Sequence, residues 1–145
     1  MRSLKSTQKR VIAEAFPELG VDKRSNLQFE GDVYYLDREP VLIGDGDDLI
    51  PFLKQRNFDL SRYPSVVIDM PAVPFMVRGA DLLRPGIVRY DGFSKGAILV
   101  IRDERNGAAL AFMRALLDSS ELEAMEKGKV AKSLHYVGDR YWKEH

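Results

Sequence analysis

Residues 78–87 read Arg-Gly-Ala-Asp-Leu-Leu-Arg-Pro-Gly-Ile, a run that sets two glycines and a proline among apolar residues and two arginines. Glycine adopts positive φ without steric cost, so Gly79 is placed to end a preceding helical turn. Pro85-Gly86 then stiffens the exit into a strand, Ile87-Val88-Arg89-Tyr90. Upstream, Pro74 to Arg78 supplies the short helix, and Val66-Val67-Ile68 is apolar at every position, as a strand covered on both faces is. Downstream, Ile98-Leu99-Val100-Ile101, Leu110 to Leu116 and Val130 to Tyr136 predict further strands. Asp91-Gly92 and Asn106-Gly107 mark turns between them, and Ser119 or Ser120 is expected to cap a helical turn around Glu121 to Met125. Short strands punctuated by turn signals predict a small barrel.

The first half has a different rhythm. Ser6 is the expected cap of a helix in which Val11, Ile12, Ala15, Phe16 and Leu19 form one apolar face before Gly20. Leu27-Gln28-Phe29 and Val33-Tyr34-Tyr35-Leu36 flank Glu30-Gly31-Asp32, the signature of a hairpin, and Asp37 to Pro40 turns into Val41-Leu42-Ile43. After Gly44-Asp45-Gly46-Asp47-Asp48, a second short helix is expected from about Leu49 to Gln55, with Pro51 in its first turn. The expected class is α+β: a small α/β domain over residues 1–64, then a mostly antiparallel β-pseudobarrel over 65–143, with Tyr63-Pro64 at the junction.

Composition narrows the functions available. The 145 residues are 45% hydrophobic and 30% charged, enough apolar material for a core and enough charge for a solvated surface. No stretch approaches the roughly 18 apolar residues of a bilayer span, and no signal peptide is expected, so no membrane partner is anticipated and a cytoplasmic setting is. Without cysteine, disulfides and thiolate metal sites are excluded; His135 and His145 are too few for a histidine-based centre. Bulk charge is silent: ten basic and eleven acidic residues precede Ser65, and twelve and eleven follow.

The residues Val66-Val67-Ile68-Asp69, Ala72, the 78–87 run, Phe93, Lys95-Gly96, Gly128-Lys129, His135-Tyr136-Val137-Gly138-Asp139 and Trp142 together resemble the PUA domain, named for pseudouridine synthases and archaeosine transglycosylases. The resemblance covers about residues 65–143. Ala97 and Phe112-Met113 depart from it, the first where a carboxylate is common and the second where small residues are. The whole chain is similar to a narrower group with an N-terminal "pre-PUA" domain, which contains the malignant T-cell amplified protein, the matching part of ligatin and short archaeal relatives. That resemblance implies association with the small ribosomal subunit and with tRNA in translation.

A phosphate-and-shape mode of RNA binding fits the residues of the glycine run. Free amides in the Gly79-Ala80 turn can donate to a phosphate, a glycine lets ribose or phosphate approach the backbone, and Arg78 and Arg84 flank the turn with planar forks. Recognition by shape and backbone is usual for structured RNA. The candidate RNA-binding residues are Arg78, Gly79, Ala80, Asp81, Leu82, Arg84, Pro85, Gly86, Arg89 and Lys95, with Lys127, Lys129 and Lys132 as a basic rim. Most of these also have a structural explanation: the glycines and proline turn the chain, and the leucines fill a barrel. His135, Tyr136 and Trp142 are read as packing residues that close the barrel rather than as bases or stacking platforms.

Residues 44–48 resemble part of a calcium loop but have Ile50 and Arg56 where Gly and Glu are needed, and they match neither a P-loop nor a dinucleotide fingerprint. Asp69 and Asp81 are read as cap and turn residues rather than a catalytic carboxylate pair. The expectation is therefore a non-catalytic protein without cofactor or metal, binding tRNA or rRNA, with the small ribosomal subunit or a translation factor as partner. Two other readings stand beside it: an RNA-targeting accessory of an RNA-modifying enzyme, and a protein-interaction module without RNA binding of its own.

Overall fold

A computed structural model describes all residues, Met1–His145, as two compact units, Met1–Asp59 and Leu60–His145. The segment Leu60–Pro64 thus belongs with the second unit.

In the first unit, β1 (Arg2–Ser3) leads into α1 (Ser6–Ala15), and β2 (Leu27–Glu30), β3 (Val33–Leu36), β4 (Glu39–Asp45) and β5 (Asp48–Pro51) follow. The five strands form an antiparallel sheet in chain order. Lys5 is the cap residue of α1, not Ser6, and its N–H donates to the Gln8 side chain. The helix buries Ile12 and the adjoining Phe16 against Leu4, Val21, Leu27, Val41 and Leu42. Val11 is 61% exposed, so the buried stripe is narrower than the apolar spacing suggests.

The helix expected from Leu49 to Gln55 is instead strand β5. Asp45 pairs with Asp48 across Gly46-Asp47, and Gly46, at the first central position, has φ +60°. A two-residue turn with glycine there returns the chain as a hairpin, and the pairing lets Ile50 and Phe52 bury fully. The aspartates sit on a hairpin end, where they need no helix to explain them. At the preceding turn Asp37 and Arg38 take φ values of +50° and +69°, the left-handed pair that a tight hairpin requires even without glycine.

The second unit contains β6 (Ser65–Ile68), α2 (Val73–Met76), β7 (Leu82–Leu83), β8 (Ile87–Tyr90), β9 (Ile98–Asp103), β10 (Ala109–Ala115), β11 (Lys129–Tyr136) and α3 (Arg140–Glu144). The strands run in the order β7-β11-β10-β9-β6-β8; β6 and β9 are parallel and the other pairs antiparallel. This mostly antiparallel sheet, with α2 and the turn at Ser119–Glu121, encloses a core of Val66, Ile68, Met76, Leu82, Leu99, Ile101, Ala111, Met113, Leu122 and Val130. The β10–β11 register shifts between Phe112 and Met113, opposite the extra residue Leu134 of β11; both β10 side chains are fully buried, and Phe112 stacks edge-on against Tyr63 at 5.3 Å. The large residues at 112–113 are thus core residues.

Strand β7 and helix α3 have no signal in the periodicity: one is two residues long, the other five. α3 is set by its cap. Asp139 Oδ1 accepts from the Trp142 N–H at 2.9 Å, while Oδ2 accepts from the Tyr136 N–H at 2.9 Å and from His135 Nδ1 at 2.7 Å. His135 is fully buried, and its ring meets Tyr141 edge-on. A carboxylate can only accept, so the imidazole proton lies on Nδ1. Burial pushes the Asp139 carboxyl up, but the hydrogen bonds from His135 and from the Trp142 and Tyr136 N–H groups outweigh it and hold it below the ordinary value. The expected packing role of His135 is what the structure contains.

Candidate nucleic-acid interface

The 78–87 run closes α2 with a Schellman turn. The Ala80 N–H donates to Phe75 O at 3.1 Å and the Gly79 N–H to Met76 O at 3.3 Å, with Gly79 at φ +87°. Glycine is required twice over, because a Cβ at position 79 would lie 2.8 Å from Tyr136 Oη and 2.9 Å from its ring. These bonds overturn one expectation: the Gly79 and Ala80 amides are consumed by the helix end and are not free donors for a phosphate. At the other end of the run, Gly86 has φ +97°, and a Cβ there would press to 3.1 Å of Ala72.

The charged members of the run are also engaged. Arg84 Nε donates to Leu122 O at 2.9 Å, and the guanidinium reaches Ile87 O at 3.5 Å, so this half-buried side chain ties the turn to the Ser119–Glu121 segment. Asp81 Oδ1 accepts from the Ser133 N–H at 2.9 Å, and its other oxygen lies 3.4 Å from Lys129 Nζ. Asp69 caps the turn before α2, accepting from the Ala72 N–H at 3.0 Å. Of the arginines beside the turn, Arg78 alone is exposed.

Between α2, β7 and the Pro85-Gly86 exit lies a groove of about 340 Å³. Pro71, Phe75, Met76, Leu82, Leu83 and Pro85 supply most of its walls. Ala80, Asp81, Leu82, Pro85 and Gly86 of the candidate residues line it directly, though the Leu82 side chain is buried in the core. Arg78, Gly79 and Arg84 are not among its lining residues. Phe75 and Leu83 are 58% and 49% exposed, two large apolar side chains presented at the opening. Sequence reading missed Phe75: a phenylalanine in a short apolar helix looks like core, and only the termination of α2 after one turn turns it outward.

Arg89 and Lys95 lie elsewhere on the unit. Arg89 pairs with Val67 across β8–β6, and Val67 pairs with Arg102 across β6–β9, so two arginines flank a buried valine in a second, polar groove with Ser65 and Asp91. Arg102 is held by Gly107 O at 2.9 Å. Lys95 sits in the loop before β9, where its N–H donates to Asp118 Oδ1 at 2.7 Å. Neither belongs to the apolar groove.

A glycine-closed helical turn, a mostly antiparallel half-barrel of six strands and a groove at their meeting define a small β-barrel module. The match to the PUA domain model over residues 64–137 makes this explicit, and the chain belongs to the PUA domain family. It is 32% identical over 127 residues to an uncharacterised protein of Methanocaldococcus jannaschii, covering 84% of this chain and 78% of that one. It is 29% identical over 139 residues to translation machinery-associated protein 20 of Saccharomyces cerevisiae, covering 91% and 77%. The structure of a conserved PUA domain protein from Thermoplasma acidophilum superposes with a TM-score of 0.74 at 27% identity, covering 99% of this chain and 97% of that one. The two-unit architecture therefore has a near full-length counterpart.

Proposed function

We propose that this chain is a non-catalytic RNA-binding protein of the cytoplasmic translation machinery, which takes an unstacked nucleotide at the end of a structured RNA in the groove beside α2. The observation that carries this reading is the groove itself. Its walls are apolar, Phe75 and Leu83 stand open at its mouth, and of the nearby charges Arg84 is bonded inside the protein and Asp81 is paired with the exposed Lys129, which leaves Arg78. Such a groove suits the flat face of a base, because every base can stack and stacking contributes roughly 1–3 kcal/mol per base. The phosphates then fall to the exposed rim, where Arg78 and Lys129 stand.

Membership of the PUA family and similarity to translation machinery-associated protein 20 support tRNA or small-subunit rRNA as the RNA, and a ribosomal or translation-factor partner for the first unit. Binding to a tRNA transcript with and without its single-stranded 3′ end, using the native chain and Phe75→Ala, tests the groove. Removing the end, or the Phe75 ring, is expected to weaken binding by roughly 5- to 150-fold, the equivalent of one stacked base. Equal affinity in all four combinations would remove the groove from RNA recognition. Recovery of a modification enzyme in place of ribosomal components in a pull-down would reassign the protein as that enzyme's RNA-targeting accessory.

A further inference from the structure

The chain is electrically neutral, but its charge is not evenly placed. Residues 1–24 carry six basic side chains, Arg2, Lys5, Lys9, Arg10, Lys23 and Arg24, against Glu14, Glu18 and Asp22; the remaining residues carry sixteen basic against nineteen acidic. The whole positive excess lies on β1, α1 and the loop that follows.

Part of that excess lines a concavity of about 230 Å³ on the first unit, formed by Ser6, Lys9, Arg10 and Ala13 of α1 with Val21, Asp22 and Lys23 of the loop. Asp22, the one carboxylate in the lining, is committed to its own turn: Oδ1 accepts from the Arg24 N–H at 2.8 Å and from Ser25 Oγ at 3.3 Å. Lys9, Arg10 and Lys23 take part in none of the ion pairs the structure contains. Arg10 and Lys23 are exposed, and Lys9 is half-buried.

Nothing in the fold explains these cations. The first turn of α1 holds no acidic residue, and Lys5 and Lys9 stand near the helix end where the peptide dipoles disfavour positive charge. Residues that break a local rule without a structural return mark functional surfaces. The lining offers cations and a hydroxyl but no aromatic face on which a base could stack, which selects phosphate over base.

We propose that this α1 groove is a second RNA contact that binds the phosphodiester backbone of a duplex without regard to sequence. The assignment rests on the reading that the chain binds RNA, but not on the apolar groove of the second unit. It divides the labour between the units: one takes an unstacked end, the other takes phosphates of a helical stem.

The test uses the full chain, a blunt RNA duplex of about 20 base pairs, which offers phosphates and no unstacked end, and the tRNA transcript. Binding is measured across a salt series for the native protein, for Lys9→Gln/Arg10→Gln/Lys23→Gln and for Phe75→Ala. Each phosphate neutralised contributes about 0.9 to the slope of log affinity against log salt on a duplex. The triple variant is expected to lose about 2–3 from that slope and to bind the duplex at least tenfold more weakly at low salt, with an unchanged melting temperature. Phe75→Ala is expected to leave duplex binding intact. An unchanged slope and affinity in the triple variant, with the native protein still binding RNA, would overturn the inference alone. A drop in the triple variant with Phe75→Ala indifferent on tRNA would support it while removing the apolar groove. Native protein that binds neither RNA would overturn both assignments.

Discussion

The glycine run of the second unit and helix α1 of the first both carry arginines or lysines beside a groove, but they use charge in opposite ways. Around residues 78–87 most charged side chains have an internal partner: Arg84 is bonded to Leu122 O, and Asp81 to the Ser133 N–H and Lys129. On α1 Arg10 is exposed and Lys9 half-buried, neither takes part in an ion pair, and the fold gains nothing visible from them. A residue's type therefore says less about binding than whether the fold has already used its bonding capacity. Arg84, one of the two arginines that flank the turn in the sequence, is a structural tie, whereas Lys9 and Lys23 take part in no ion pair.

That contrast predicts a graded series of stability losses, large where polar groups are turned inward and negligible where they face out. Asp139→Ala removes a helix cap and strands the buried His135 Nδ1, and is expected to cost about 2–4 kcal/mol in denaturant unfolding. The same carboxyl gives the effect a pH signature. Its folded pKa lies below its unfolded value, so its stabilisation is complete above the ordinary carboxylate range and fades as pH falls through the depressed folded value. The gap between native protein and Asp139→Ala should accordingly narrow in strong acid; a constant gap would show that the cap geometry, not the charge, carries the effect.

Gly79→Ala comes next. Positive φ and the Tyr136 ring both oppose a Cβ there, and a loss of about 2–3 kcal/mol is expected by thermal unfolding. Arg84→Ala should cost about 1 kcal/mol, the worth of its carbonyl bonds, while shifting the salt slope of RNA binding by less than one phosphate equivalent. A large slope change would break the comparison, since it would make Arg84 an RNA contact. At the small end, Lys9→Gln and Val11→Ala should each move stability by no more than about 0.5 kcal/mol, both lying away from the buried stripe of Ile12 and Phe16.

Much of the second unit was legible because its punctuation is strong. Gly79, Pro85-Gly86, Asp91-Gly92 and Asn106-Gly107 divide it into pieces whose apolar content fits strands, and those strands are where the turns predict. The exceptions have physical causes. Leu49 to Gln55 read as a helix because the preceding aspartates and Pro51 suit a helix N-terminus, yet Gly46 with positive φ equally suits a tight hairpin, and pairing with β4 decided it. Val11 fits the helical spacing and still faces solvent, because spacing gives the period of a stripe but not its width. α3 depends on one carboxylate shared by a buried histidine and two backbone N–H groups, a three-way arrangement with no sequence period.

The site was half legible. The 78–87 run marked the right place, since the groove lies against it, but suggested the wrong chemistry: glycines and arginines implied a phosphate nest, whereas closing α2 consumes the amides and leaves an apolar trough. The cationic groove was invisible to a division at the domain junction, because the acidic β-hairpins cancel the basic first 24 residues.

The most direct test of the account is a backbone-amide NMR titration of the native chain with a tRNA transcript carrying or lacking its single-stranded 3′ end. The account predicts that the intact end shifts the amides of Phe75, Ala80, Leu82 and Leu83, and that these shifts vanish when the end is removed. Perturbations centred on the Arg89–Arg102 face, or unchanged at Phe75 and Leu83 on losing the end, would contradict it.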